Sequence, residues 1–198
     1  MEKLVLASQS PRRQALLTQM GLTNFEVDFI PIDETIKPGE LPENYVLRMA
    51  REKAKAVARI HPDDTVIAAD TAVVLDGQIF GKPENKDMAA EMLSALSGRW
   101  HEVMTGLTVI SGNREQTVLE KVQVLFRELT PSEIAAYIAT GEPMDKAGAY
   151  GIQGRGAVLV RRIEGDYYAV MGLPVCSLWE ILQNMPRKDG GLHVPEDI

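Results

Sequence analysis

The sequence predicts an α/β fold with a mixed sheet flanked by helices, and three observations point there. A short apolar strand at residues 3–7 runs straight into residues that start a helix. Residues 42–60 keep their apolar side chains on one face at helical spacing. Long strand-like segments meet at the tight pairs Asp76-Gly77 and Gly112-Asn113, which read as hairpin turns. Helices interleaved with hairpins call for a sheet with helices packed on it.

The elements follow in order. "KLVLA" (3–7) is a buried strand. Ser10 stands at an N-cap position and Pro11 suits the first helical turn. Ala15, Leu16 and Met20 mark a short helix that Gly21 closes. Residues 25–30 alternate and read as a strand. In the helix at 42–60, Val46, Met49, Ala50, Ala54 and Val57 form the apolar face, and Arg48, Arg51, Lys55 and Arg59 the other. Residues 65–80 are strands around Asp76-Gly77; Asp87 caps a helix ending near Ser97. Residues 101–126 make two long strands. Thr130, Pro131 and Glu133 spell a capping box. Residues 145–156 are a glycine-rich loop, two further strands turn at Gly165-Asp166, and Pro174 opens a last helix. The segment from Pro186 looks loose, which leaves a flexible tail at 187–198 after a single domain at 1–186.

Bulk properties narrow the function. A chain of 198 residues fits one large domain or one domain with two lobes. Apolar content of 45% supports a real core, and no apolar run reaches the roughly 18 residues needed to span a membrane. The start is too weakly apolar for a signal peptide. A single cysteine, Cys176, excludes an intrachain disulfide and agrees with a cytoplasmic location. The formal net charge of −7 argues against gripping nucleic acid, where phosphate neutralisation supplies most of the affinity. Any phosphate must therefore meet a local cluster of cations.

The first such cluster is "SQSPRR". Cations at a helix N-terminus oppose the helix dipole by ~0.3–1 kcal/mol, while the free N–H groups there favour an anion. Arg12 and Arg13, with the hydroxyls of Ser8 and Ser10, form a candidate anion site. A capped surface helix with two solvated arginines explains the same residues equally well. In "VIAADTAVVL", Asp70 and Thr71 interrupt an apolar run. A carboxylate among strand residues is costly unless it is paired, metal-bound or facing a cleft. Either the two residues turn between two short strands, or Asp70 ends a buried strand where open α/β sheets bind ligands. Lys53 falls on the apolar side of its helix, so it snorkels or points into a cleft. Lys82 in "GKP" lies just past a hairpin strand, where it turns back to a ligand or sits on the surface. Asp33 and Glu34 hold a divalent ion or close a turn.

Several common sites are missing from the sequence. There is no G-x-x-x-x-G-K-[ST] and no G-x-S-x-G, and the three histidines lack zinc spacing. Cations, a few carboxylates and no obvious nucleophile suit metal-assisted attack of water on a phosphate ester or anhydride.

Six blocks stand in order: "LASQSPRR" with Arg12 and Arg13, "IDE" ending at Glu34, "REKA" with Lys53, "AADT" with Asp70, "GKP" with Lys82, and "DKAGAYGIQG" with Gln153. Together, over residues 6–182, they resemble the Maf family of nucleotide pyrophosphatases. "AYGIQG" is similar to the branch acting on dTTP and UTP, whereas a sister branch acting on 7-methyl-GTP lacks that glutamine. The resemblance implies an elongated α/β fold like that of inosine triphosphate pyrophosphatases, with a cleft between two lobes. It implies hydrolysis of a nucleoside triphosphate to monophosphate and pyrophosphate with a divalent cation (Mg, Mn or Co). It makes Asp70 the proton acceptor and Glu34 its helper or a second metal ligand beside it. Arg12, Thr71 and Gln153 match positions that set nucleotide preference. Arg13, Lys53 and Lys82 become phosphate contacts, with Ser8 and Ser10 in the substrate site. The family often dimerises, so a homodimer is among its expected states. Two other readings stay open: a non-catalytic nucleotide-sensing regulator of septum formation, and a 7-methyl-GTP-type enzyme. The cellular task, cleansing modified nucleotides or controlling normal ones, also stays open.

Overall fold

The computed structural model describes residues 2–185, so the tail expected at 187–198 lies outside the described residues. Its strands are β1 (Leu4–Leu6), β2 (Phe25–Val27), β3 (Thr65–Leu75), β4 (Gln78–Phe80), β5 (Trp100–Ser111), β6 (Arg114–Phe126) and β7 (Val160–Glu164). They form one seven-stranded sheet in the order β2-β1-β3-β5-β6-β7, with β4 paired to β3 off that path. β1 is parallel to β2 and β3, whereas β4 is antiparallel to β3 and β7 to β6. The sheet is therefore mixed, as expected. The helices are α1 (Pro11–Gln19), α2 (Pro42–Ala58), α3 (Lys86–Leu96), α4 (Pro131–Ala139), α5 (Tyr167–Met171) and α6 (Val175–Asn184). None of the described helices is long and apolar enough to cross a membrane.

The chain forms two compact units. Among the described residues, the first comprises residues 2–70, Thr105–Glu120 and residues 172–185; the second comprises Thr71–Met104 and Lys121–Met171. In the first, Val5 and Ala7 of the β1 region pack with Val66 and Ala68 of β3 and with Ala54 and Val57 of α2. The apolar face expected for α2 is buried: Val46, Met49, Ala50, Ala54 and Val57 are each at most 1% exposed. Helix and strand approach closely at Gly106 of β5, where an added Cβ would lie 2.4 Å from the carbonyl oxygen of Val46. In the second unit, α3 packs against α4 over a core that includes Leu93, Leu96, Phe126 and Tyr150.

Local signals hold where they are strongest. Thr130 and Glu133 make the full capping box at the start of α4. Asp76 and Gly77 both take positive φ, 51° and 78°, as a two-residue hairpin demands. Four expectations need correction. Asp70-Thr71 is neither a turn nor a strand end but lies inside the continuous eleven-residue β3. Its first part pairs parallel with β1 up to Leu6↔Ile67 and its last part antiparallel with β4 from Val73↔Phe80, so partners on both stretches keep the strand extended. β2 stops at Val27, not at residue 30, because β1 offers only three residues to pair with. Asp28 instead turns its carboxylate onto the backbone N–H of Phe29 and the ring of His61. Asn85, not Asp87, caps α3, accepting from the N–H of Met88 at 2.9 Å; Asp87 sits in the first turn. After β7 no second strand returns: Asp166 accepts from the N–H of Tyr168 at 2.8 Å and starts the short α5.

Candidate active site

In the first unit, β1 ends at Leu6 and the chain turns through Ser8–Ser10 into α1. Such turns beyond the carboxyl ends of parallel strands are the usual ligand positions of open α/β sheets. Ser10 takes the N-cap position, but its side chain makes no cap hydrogen bond, and the first turn of α1 has no acidic residue. The start of α1 is therefore not capped by the Ser10 side chain. Ser8, 7% exposed, accepts hydrogen bonds from the backbone N–H of Ser10 at 3.2 Å and from Nη1 of Arg13 at 3.1 Å. Nε of Arg13 donates to the carbonyl of Gly172 at 2.7 Å. The arginine is thus anchored rather than solvated. Burial pushes its guanidinium below the usual value; the carboxylates of Asp70 and Glu34 oppose that shift and neighbouring Arg12 adds to it.

Asp70 belongs to the same unit and is 8% exposed. It lies past the last β3 residue paired with β1, which explains how a carboxylate is accommodated within an apolar strand. Nζ of Lys53, projecting from α2, donates to its Oδ1 at 2.6 Å and stands 2.8 Å from Oε1 of Glu34. Lys53 therefore points into a polar site rather than snorkelling outward, and one ammonium gathers both acidic candidates. Burial pushes the Asp70 carboxyl above its usual range, with Lys53 and Arg13 pulling the other way and Glu34 adding to the rise. Asp33 closes a turn by accepting from the N–H of Thr35 at 2.9 Å.

Two residues that hold the Glu34 segment carried no signal in the sequence. The hydroxyl of Tyr45 donates to the carbonyl of Glu34 at 3.2 Å, and Nη2 of Arg48 donates to that of Thr35 at 3.0 Å. Arg48 also grips Glu40 through Nε and Nη2, both at 2.6 Å, and holds that carboxyl down at about 2. Burial, with Asp70 and Glu34 nearby, pushes the Tyr45 phenol up to about 12.

In the second unit, Thr71 follows Asp70 on β3 and is partly exposed, Lys82 is exposed between β4 and α3, and Gln153 is exposed at the start of the 3-10 turn Gly154–Leu159. The backbone joins the last two segments: the N–H of Gly148 donates to the carbonyl of Gly81 at 3.0 Å. Gly148 is tight, since a Cβ there would meet the Val73 side chain at 2.8 Å. The segment expected as plain loop is wound into consecutive 3-10 turns, and the Tyr150 hydroxyl is anchored 2.8 Å from Nε2 of His101.

Among the described residues no cluster of three or more His, Cys, Asp or Glu side chains could hold a metal ion. The donor set on offer is the pair Asp70 and Glu34, whose oxygens already converge on one cation. Hard carboxylate oxygens in small number suit magnesium or manganese, which takes one or two protein carboxylates plus substrate phosphates.

The profile of the family described as "Maf-like protein" matches residues 3–185. A dTTP/UTP pyrophosphatase of Geobacillus is 52% identical over 175 residues, 88% of this chain and 94% of that protein. One of Bacillus anthracis is 48% identical over 90% of this chain and 93% of its own length, and one of Bacillus pumilus 46% identical over 92% and 96%. A dITP/XTP pyrophosphatase structure from Mycobacterium abscessus aligns over 70% of this chain and 95% of its own at 16% identity with a TM-score of 0.43, a likeness too loose to carry weight.

Proposed function

Since the chain belongs to the Maf family, we propose that it is a nucleoside triphosphate pyrophosphatase, converting dTTP and UTP to the monophosphate and pyrophosphate. One observation supports the reading most: a buried carboxylate, Asp70, held with Glu34 on the Lys53 ammonium. Water attacks the α-phosphorus, its proton passes to Asp70, and the bond to the bridging oxygen of the β-phosphate breaks as pyrophosphate leaves. A carboxylate raised by burial is a better base near neutral pH than an exposed one. A divalent cation, held by Asp70 and Glu34, would offset charge on the phosphates. Arg13, Lys53 and Lys82 take phosphate oxygens, where charge-assisted hydrogen bonds are strongest. Ser8 and Ser10 add hydroxyl donors.

Nucleotide preference falls to Arg12, Thr71 and Gln153. Uracil and thymine present O4 as acceptor and N3–H as donor, and a carboxamide matches both at once. The place of action in this reading is the cytoplasm, and a homodimer is compatible with it. The test is release of pyrophosphate and UMP from UTP with magnesium, manganese or cobalt; no turnover above a blank with any of them refutes the proposal. Gln153→Glu should lose UTP and dTTP by up to ~10⁴-fold, because O4 then faces a carboxylate oxygen. If wild type and variant keep the same ratio of UTP to GTP turnover, Gln153 does not read the base.

A further inference from the structure

The segment carrying Gln153 is closed on itself by a single carboxylate. Oε1 of Glu142 accepts from the Tyr137 hydroxyl at 2.9 Å and from the backbone N–H of Gly156 at 3.0 Å. Its Oε2 accepts from the N–H of Arg155 at 3.0 Å. The Tyr137 oxygen in turn accepts from the N–H of Gly151 at 3.1 Å. Both ends of residues 151–156 thus hang on one tyrosine–glutamate pair, with Gln153 between them. The ends also touch: a Cβ on Gly156 would lie 2.2 Å from the Gly151 carbonyl oxygen and 2.6 Å from the Tyr137 hydroxyl. A Cβ on Gly154 would lie 2.8 Å from Oε2 of Glu142. The backbone of Glu142 is fixed as well, its N–H donating to Oγ1 of Thr140 at 3.1 Å and its carbonyl accepting from Nζ of Lys146 at 2.7 Å. Burial works to raise the Glu142 carboxyl, yet the N–H groups of Arg155 and Gly156 and the Tyr137 hydroxyl together hold it below its usual range.

A segment with three glycines in six residues, Gly151, Gly154 and Gly156, loses much conformational freedom when it is ordered. If that ordering waited for substrate, each base contact would be weakened by the entropy lost on binding. Here the ordering is already complete, and it is done by groups that leave the Gln153 side chain exposed. We propose that Glu142 and Tyr137 are positioning residues for base recognition. They fix the backbone from which Gln153 reads the 4-oxo pyrimidine, and neither touches the nucleotide. This rests on Gln153 being the base reader.

The experiment compares kcat/KM for UTP and CTP, which share ribose and triphosphate and differ at C4, oxo against amino, and in whether N3 carries a hydrogen. Wild type, Glu142→Gln, Tyr137→Phe and Gln153→Glu are measured, with thermal unfolding to confirm that each is folded. Glu142→Gln keeps one acceptor oxygen, so at least one of the loop N–H groups meets an amide NH₂. The UTP-to-CTP ratio should fall by ~10-fold, the order expected when a hydrogen bond to the base is lost or misaligned. The fall should come from KM for UTP, with kcat within about twofold, as loss of ground-state binding requires. Tyr137→Phe removes a single oxygen and should move the ratio the same way; it decides the matter if Glu142→Gln does not fold. A purely structural role lowers both substrates together and leaves the ratio alone. An unchanged ratio in the folded Glu142 and Tyr137 variants, alongside a collapsed ratio in Gln153→Glu, overturns the positioning role. An unchanged ratio in Gln153→Glu refutes the base reader itself, and the proposal with it.

Discussion

Replacing His101 with glutamine should remove a defined part of the acid sensitivity of this protein. His101 lies on β5, 2% exposed, with its ring edge-on to Phe126 at 5.0 Å and Tyr150 at 5.4 Å. Nε2 shares a hydrogen bond with the Tyr150 hydroxyl, while Nδ1 makes no well-formed hydrogen bond among the described residues. Burial pushes the imidazole down to about 4, and the backbone of Arg99 gives a smaller pull the other way. The unfolded chain binds this proton near pH 6.5 and the folded one only near pH 4, so the unfolded state holds more protons between those values and stability falls as pH falls. At about 1.4 kcal/mol per pH unit, the loss from this one group reaches about 2 kcal/mol at pH 5 and about 3 kcal/mol at pH 4, with little more below. The assay is urea unfolding of wild type and His101→Gln at steps from pH 7.5 to 4. The variant starts less stable because ring packing is lost. Subtracting the two curves cancels carboxylates that both proteins share, and the wild-type advantage should shrink by those amounts. A difference that stays flat within about 0.5 kcal/mol, the usual error of such subtractions, would show that His101 is not a buried neutral imidazole.

Two further changes test other parts of the molecule. Asp70→Asn should cut pyrophosphate release by ~10²- to 10⁴-fold while the protein still unfolds cooperatively, because Lys53 keeps Glu34 as its partner; turnover at the wild-type level would take Asp70 out of the mechanism. Gly106→Ala should cost about 1–3 kcal/mol and lower Tm by roughly 3–10 °C, because the new Cβ meets the backbone of Val46 and Leu47, which cannot swing aside; an unchanged Tm would mean that α2 and β5 do not approach so closely.

What the sequence determined by itself is whatever depends on near neighbours in the chain. The buried face of α2 follows from 3.6-residue spacing, the capping box of α4 from residues three apart, and the β3–β4 turn from an Asp-Gly pair that tolerates positive φ. The six motif blocks likewise brought the family within reach, since their residues and order survive in the linear chain. Only the tertiary structure decided what depends on distant partners. Whether Asp70-Thr71 is a turn or strand depends on β1 and β4 lying alongside, and the length of β2 depends on the length of β1. At Asp166 an apolar run that reads as strand is overruled by a side chain that caps the next turn. The partners of Lys53, the grip of Arg48 and Tyr45 on the Glu34 segment, and the Tyr137–Glu142 pair under Gln153 are equally invisible in sequence. A lysine or glutamate carries the same charge wherever it stands. Which charge it meets, and how far burial shifts either one, is set by desolvation and by distances of a few ångströms, and those exist only once the sheet has formed.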